Sequence, residues 1–353
     1  MKLKYISVCT MGLLCSLATV AQKKETVKFA KEKDQNTIDV IIGSRLFTRF
    51  IYPDSLAKPV LYPIFASNGT MVTRGFPIMP LPNEPTDHPH HLGLWFNFEN
   101  VNGLDFWNNS YAIPAEKKRL YGWIKTDQIL KTKDGQKGLL TYHANWTNQN
   151  NEALLEETTQ YEFSGSEGQR IIDRVTVLKA KVDVVFADAK DGLLGFRAAH
   201  ELQIPDLKDK LFTDDKGIAT IVKGSDDHIA NGNYLTSAGK TGDSAWSTRG
   251  VWCKMYGKMK DDSISIAIID HPDNVNYPTF WHARGYGLFA ANPLGEKIFT
   301  NGKSAKNLRL KEGESVRFIY RIVVDAGKTT LTPQQLDQLA ADFAKTKPGD
   351  ISK

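Results

Sequence analysis

The sequence predicts an all-β fold, a large antiparallel β-sandwich closed by a short C-terminal helix. Three observations carry that expectation. More than ten segments alternate apolar and polar residues or are rich in β-branched and aromatic types. Turn residues separate them, as at Asp134-Gly135, between Gly165 and Gly168, and at Glu312-Gly313. No helical periodicity intervenes before the tail, which argues against a βαβ fold.

The chain of 353 residues is 41% hydrophobic and 24% charged, a globular balance. Its net charge of +5 is too weak and too evenly spread for a nucleic-acid binder. After the N-terminus no apolar run reaches the roughly 18 residues of a membrane helix, so no membrane span is expected in the mature chain.

Lys2 and Lys4 precede a mostly apolar stretch from Tyr5 to Val20, and Thr19 and Ala21 are small residues before Gln22. Residues 1–21 therefore read as a cleavable signal peptide, and the location expected is periplasmic or secreted. Removing it leaves Cys253 alone, so no internal disulfide forms. Residues 22–36 are polar and Lys/Glu-rich, a flexible lead-in.

Residues 37–353 read as one sandwich domain. Strands are expected at 37–42, 45–52, 92–98, 122–130, 139–146, 154–163, 170–178, 183–187, 193–204, 251–259, 263–269, 286–291 and 315–324. In the tail, Thr332 is a helix N-cap, Pro333 suits the first helical position, and Gln335 completes a capping box. Leu336, Leu339, Ala340 and Phe343 follow at helical spacing, placing a helix near 333–345 packed on the sandwich.

The densest polar cluster is Asp87-His88-Pro89-His90-His91, which holds three of the eight histidines. Pro89 favours an extended His88. His88 and His90 would then point together and His91 away. Two imidazoles so placed suit a metal, with a third ligand from Glu201, His271 or His282, or they suit general acid catalysis. The competing reading is a His-rich turn bonded to its own loop.

Over residues 193–204, a strand would put Leu194, Phe196, Ala198, His200 and Leu202 on a core face. Gly195, Arg197, Ala199, Glu201 and Gln203 would share the other. The small residues there leave room for a ligand between Arg197 and Glu201. The alternative is an ion pair on a solvated face. A third region joins Asp270, His271 and Asn274 to Tyr277, Phe280, Trp281, His282, Arg284 and Tyr286. Aromatics beside His, Arg and Asp suit a sugar site, and an aromatic core beneath a long loop is the plainer alternative. Trp107 follows a tight-turn signal at Asn102-Gly103 and could line a cleft. No nucleophile elbow, phosphate loop or dinucleotide fingerprint occurs.

Taken in order, these motifs resemble a known family. They are GTMVTR at 69–74, DHPHHLGLW at 87–95, NGLDFW at 102–107, GLLGFR at 192–197, DHPDN at 270–274 and YPTFWHARGYGLFAANP at 277–293. The set looks like the bacterial family labelled methane oxygenase PmoA, over roughly residues 37–325. The resemblance implies secreted or periplasmic proteins, common in bacteria that degrade polysaccharides. It also implies a sandwich similar to that of galactose mutarotase. It brings no catalytic residues with it. After Ala198 and Ala199 this chain has His200 where relatives are expected to have Pro.

The expectation is thus an exported carbohydrate-active enzyme using acid–base chemistry on a sugar or glycoside. Epimerisation, elimination and hydrolysis all fit. His90 or His282 would be the acid and Glu201 or Asp270 the base, with Arg197 or Arg284 steadying oxyanion charge. His91, His271, Asn274, Trp95, Trp107 and Trp281 would bind a carbohydrate ligand. One alternative is a non-catalytic periplasmic sugar-binding protein. The other is a metal-dependent hydrolase or oxygenase holding a divalent metal through His88 and His90.

Overall fold

The computed structural model describes residues 24–31, 35–82, 84–213, 219–224 and 228–347. The signal peptide expected over residues 1–21 lies outside the described residues.

Two eight-stranded antiparallel sheets form the body of the molecule, with a two-stranded sheet of Val184–Phe186 and Leu308–Leu310 and a three-stranded sheet of Ala219–Val222, Lys210–Thr213 and Glu84–Pro85. The first runs, in spatial order, through Val27–Lys31, Thr37–Ile42, Arg45–Ile51, Val60–Ile64, Leu94–Phe98, Gly192–Arg197, Leu288–Asn292 and Phe280–Arg284. The second runs through Asn233–Thr236, Trp252–Met259, Asp262–Asp270, Ser315–Gly327, Gln169–Ala180, Ala153–Gly165, Gly138–Thr147 and Trp123–Lys133. This is the all-β architecture the alternation predicts.

Strand periodicity distributes the side chains over three apolar layers. Leu94, Phe96, Phe98, Leu194 and Phe196 face Tyr142, Trp146, Phe163, Phe318, Tyr320 and Ile322 across the central core. The other face of the second sheet offers Val175, Ile269, Ile319 and Val323 to Leu336, Ala340 and Phe343 of the helix Pro333–Ala344. That helix carries the expected cap: Thr332 accepts from the Gln335 amide, and the Gln335 side chain accepts from the Thr332 amide. The outer face of the first sheet holds a smaller cluster of Val60, Tyr62, Leu92, Trp95, Trp107, Leu288 and Ala290.

Three strands of these sheets, Val60–Ile64, Asn233–Thr236 and Phe280–Arg284, are not among those expected, and two further segments depart from expectation. The lead-in contains the edge strand Val27–Lys31, paired with Thr37–Ile42. Val27 is fully buried and Phe29 meets Phe163 edge-on at 6.0 Å, so two apolar anchors outweigh the flanking lysines. The strand expected to reach Ile204 stops at Arg197. There the chain turns to the 72–74 loop: the Arg74 amide donates to the Arg197 carbonyl and the Ala199 amide to the Val72 carbonyl. His200–Leu202 then forms a 3-10 turn.

Candidate functional site

The register of the first sheet brings together residues far apart in sequence. Trp95, Gly195, Ala290 and His282 stand abreast on four adjacent strands. Two residues along, Arg197, Leu288 and Arg284 stand abreast. Residues two apart share a sheet face, so all seven lie on the outer face. Trp281 falls on the opposite side and is wholly buried in the central core.

The 87–91 loop covers this face as a turn rather than an extended segment. The His91 amide donates to the His88 carbonyl, and His88 has φ +47°. Buried Arg74 overrides the extended bias of Pro89. Its guanidinium donates to the carbonyls of Asp87, His88 and His91 and, at 2.7 Å, to Asp87 Oδ1. Arg197 reaches the same oxygen from the sheet, and its Nη1 lies 3.2 Å from His91 Nδ1. The remaining carboxylate oxygen, Asp87 Oδ2, bonds His88 Nδ1. Burial alone would raise the Asp87 pKa, but Arg197, His88 and Arg74 outweigh it and hold the carboxyl well below its usual range.

All three histidines therefore meet, contrary to the expectation that His91 points away. Tyr286, His88, His91 and Trp95 form one column of parallel rings, with successive centroids 4.9, 4.9 and 5.2 Å apart. Tyr286 comes from the turn between the two last strands of the sheet, closed by the Gly287 amide donating to the Arg284 carbonyl. His90 stands edge-on to His91 at 4.3 Å. Burial, then the Lys58 charge, push its pKa down to about 2. His282 is lowered to about 3, chiefly by burial. Its Nδ1 lies 3.4 Å from Asp191 Oδ1 without a hydrogen bond, so the contact is that of a neutral imidazole, not an ion pair. Both shifts favour the neutral imidazole over the imidazolium. His88 is the exposed histidine of the cluster, with its side chain 40% accessible.

The tryptophans do not serve as open platforms. Trp95 and Trp107 are buried against each other at 5.1 Å. The room expected over Gly195 is filled, since a Cβ there would lie 2.5 Å from the Trp95 indole. Lys58, buried beside them, donates to the carbonyls of His90 and Trp107 and holds both loops down. Desolvation lowers its pKa to about 7, against a smaller pull from Asp105.

Other expected site residues lie elsewhere. Glu201 sits in the 3-10 turn, not across a strand face from Arg197, and its charge is felt at Glu84. Asp270 ends a strand of the second sheet and accepts from Asn274 Nδ2 and from the amides of Thr279 and His271. Asn274 bonds both backbone groups of Ile319, and His271 packs edge-on against Phe343 at 5.1 Å. These three residues secure a loop and the C-terminal helix. Among the described residues, no group of three or more His, Cys, Asp or Glu is placed to hold a metal ion. His88 and His90 lie edge-on with centroids 5.6 Å apart, and Asp87 occupies His88 Nδ1.

Two adjoining cavities open beside the ring column. One, of about 390 Å3, is lined by Asp87, Thr86, Gln203, Lys208, Leu211 and Tyr286 among others. The second, of about 350 Å3, is lined by Trp246, Asp243, Arg284, Asp206, Lys208 and Tyr286 among others. Tyr286, Asp206 and Lys208 border both. Sequence reading left Arg74, Lys58, Asp206 and Lys208 without roles and counted Asp87 only as a member of the His cluster offered to a metal. Arg74 carried a signal only as the end of the GTMVTR motif.

The fold and site define a two-sheet β-sandwich protein with a buried-arginine, carboxylate and histidine site on the outer face of one sheet. The chain belongs to the family of unknown function DUF6807, which it matches over residues 37–341. That description carries neither an activity nor the methane-oxygenase label. No curated protein matches the chain. Among solved structures, it is similar to a GH36 α-galactosidase from Geobacillus stearothermophilus, with 10% identity and a TM-score of 0.38 over 86% of this chain and 41% of that one. It spans about two fifths of that enzyme. A galactose mutarotase-like protein from Clostridium acetobutylicum gives 12% identity and a TM-score of 0.37, covering 85% and 97% of the two chains. A putative aldose 1-epimerase from Escherichia coli K12 gives 10% and 0.29, covering 85% and 99%.

Proposed function

We propose that the protein is an exported carbohydrate-active enzyme in which His88, oriented by Asp87, moves a proton to or from a sugar bound in the cavity beside Asp87 and Tyr286. The observation that carries this reading is that Asp87, which lines the cavity, bonds His88, whose ring stacks on Tyr286 of the same cavity wall at 4.9 Å. Asp87 fixes one imidazole nitrogen and leaves the other to exchange a proton. Arg74 and Arg197 keep the orienting carboxylate ionised and in place. The cavity walls combine an aromatic rim, a buried amide from Gln203, an ammonium and carboxylates, which suit the ring edges and hydroxyls of a sugar. Proton transfer at a ring carbon gives epimerisation or elimination, and proton transfer to a glycosidic oxygen gives hydrolysis.

The test is a screen of the mature chain on mono- and oligosaccharides. Epimers are read by proton NMR, new unsaturation by ultraviolet absorbance, and cleavage by reducing ends. Replacing His88 by Gln should lower turnover by about 100-fold or more. The fold should be retained, as read by circular dichroism, because the side chain is 40% accessible and Arg74 and Arg197 still hold Asp87. Wild-type turnover in H88Q would remove His88 from the mechanism.

A second reading, a sugar-binding protein without catalysis, is favoured by the full pairing of Asp87, whose two oxygens are occupied by three partners. Binding that survives in H88Q, with no product from any sugar tested, would select it.

A further inference from the structure

Two cavities meet at Tyr286, and only one of them borders Asp87. The second is walled by Trp246, Asp243 and Arg284. The Arg284 guanidinium lies over the Trp246 ring at 5.8 Å and over the Tyr286 ring at 6.0 Å. Packing between the two rings fixes this group without neutralising it. Among the described residues it has no carboxylate within ion-pair distance, and its side chain is exposed. The donors of a fixed, unpaired guanidinium are unspent by the fold and available to a ligand.

The surrounding construction is local and specific. Asp243 is the second residue of the 3-10 turn Gly242–Ala245, and the Trp246 amide donates to the Asp243 carbonyl, so one turn presents both the acidic and the aromatic wall. The Ala245 side is anchored in the core, which makes that turn a rigid wall. Asp206 and Lys208 stand on the boundary with the first cavity and can bond a ligand on either side. Each cavity falls at the small end of the range for single small-molecule sites. Two such spaces sharing one rim suit a chain of linked units better than one ring.

We infer that the ligand is an oligosaccharide whose reacting unit occupies the cavity at Asp87 and whose neighbouring unit occupies the cavity at Trp246 and Arg284. This rests on the sugar reading above and adds the requirement for at least two linked units. The Trp246 cavity is a positioning subsite: it touches no reacting bond and contributes by holding the neighbouring unit.

Calorimetric titration of the mature protein with ladders of one to four units tests the inference, using xylose, glucose and galacturonate series. For at least one ladder, affinity should rise about tenfold or more from one unit to two. In Trp246→Ala that gain should collapse to less than threefold, and in Asp243→Asn it should fall measurably. The second variant keeps the shape of the turn, and unfolding midpoints verify both. A monosaccharide that binds as tightly as its di- and trisaccharide overturns the inference while leaving the sugar reading standing. So does a chain-length gain that persists unchanged in both variants. Absence of binding by every member of all three ladders overturns the sugar reading and the inference together.

Discussion

Arg197 and Asp87 are 110 residues apart in the chain, yet Arg197 Nη2 lies 2.5 Å from Asp87 Oδ1. The contact joins a sheet strand to the loop above it. It sets where His88 stands, because the other oxygen of the same carboxylate holds His88.

That contact makes stability depend on acid. Asp87 has a folded pKa below its unfolded value, so its contribution is present above the unfolded pKa of about 4 and is lost as pH falls below it. Thermal unfolding followed from pH 7 to pH 2 should show the wild type losing more than Asp87→Asn below pH 4. The variant should also lose turnover at neutral pH, because His88 is released. Parallel profiles would mean that the arginines gain nothing from the carboxylate's charge.

Arg174 and Glu157 form a second buried pair, this one inside the central core at 2.8 Å. Tyr142 and Thr159 donate to the same carboxylate oxygen, and Trp146 Nε1 donates to the other. Removing the acid strands a guanidinium among aromatic rings. Glu157→Ala should cost about 3–5 kcal/mol by urea unfolding. Joint replacement with Glu157→Leu and Arg174→Met should restore much of that. A cost under about 1 kcal/mol for the single change would show that water reaches the pair.

Asp270 predicts a pH dependence of the opposite sign. Burial raises its pKa to about 7, against hydrogen bonds from Asn274, Thr279 and His271. Its contribution is therefore full below about pH 4 and is lost as pH rises through about 7. The difference in unfolding midpoint between wild type and Asp270→Asn should shift against the wild type across that window. A constant difference from pH 4 to pH 8 would show Asp270 to be ionised throughout.

Most strands of the sheets and the capped helix were legible because alternation and capping are local signals. The lead-in strand was hidden because two apolar residues among lysines give a weak pattern, and its support is the distant Phe163. The premature end at Arg197 was hidden because the competing partner, the 72–74 loop, is remote in sequence. In the site, strand parity put Gly195 and Arg197 on one face, whereas the register that sets Trp95, His282 and Arg284 beside them joins strands remote in sequence and was not legible. Their protonation and accessibility were not legible. His282 and the tryptophans are buried and His90 is half-buried, a matter decided by the 87–91 and Trp107 loops above the sheet and by the central core. Asp270, His271 and Asn274 looked alike in composition but belong to the other sheet.

Gly195 offers the sharpest test of the ring column. An added Cβ would lie 2.5 Å from Trp95 and 2.9 Å from Trp107, closer than real contacts allow. Trp95 has little freedom to yield, with His91 stacked on it and the Lys58 ammonium 5.5 Å from its centroid. Overpacking of this kind costs about 1–3 kcal/mol. Gly195→Ala should therefore destabilise the protein by that amount. Because His88 rests on His91, displacement of Trp95 should also weaken catalysis more than the stability loss explains, measured well below the unfolding midpoint. If the variant unfolds like the wild type and Trp fluorescence is unchanged, the strand can yield instead, and the column is not the rigid support that positions His88.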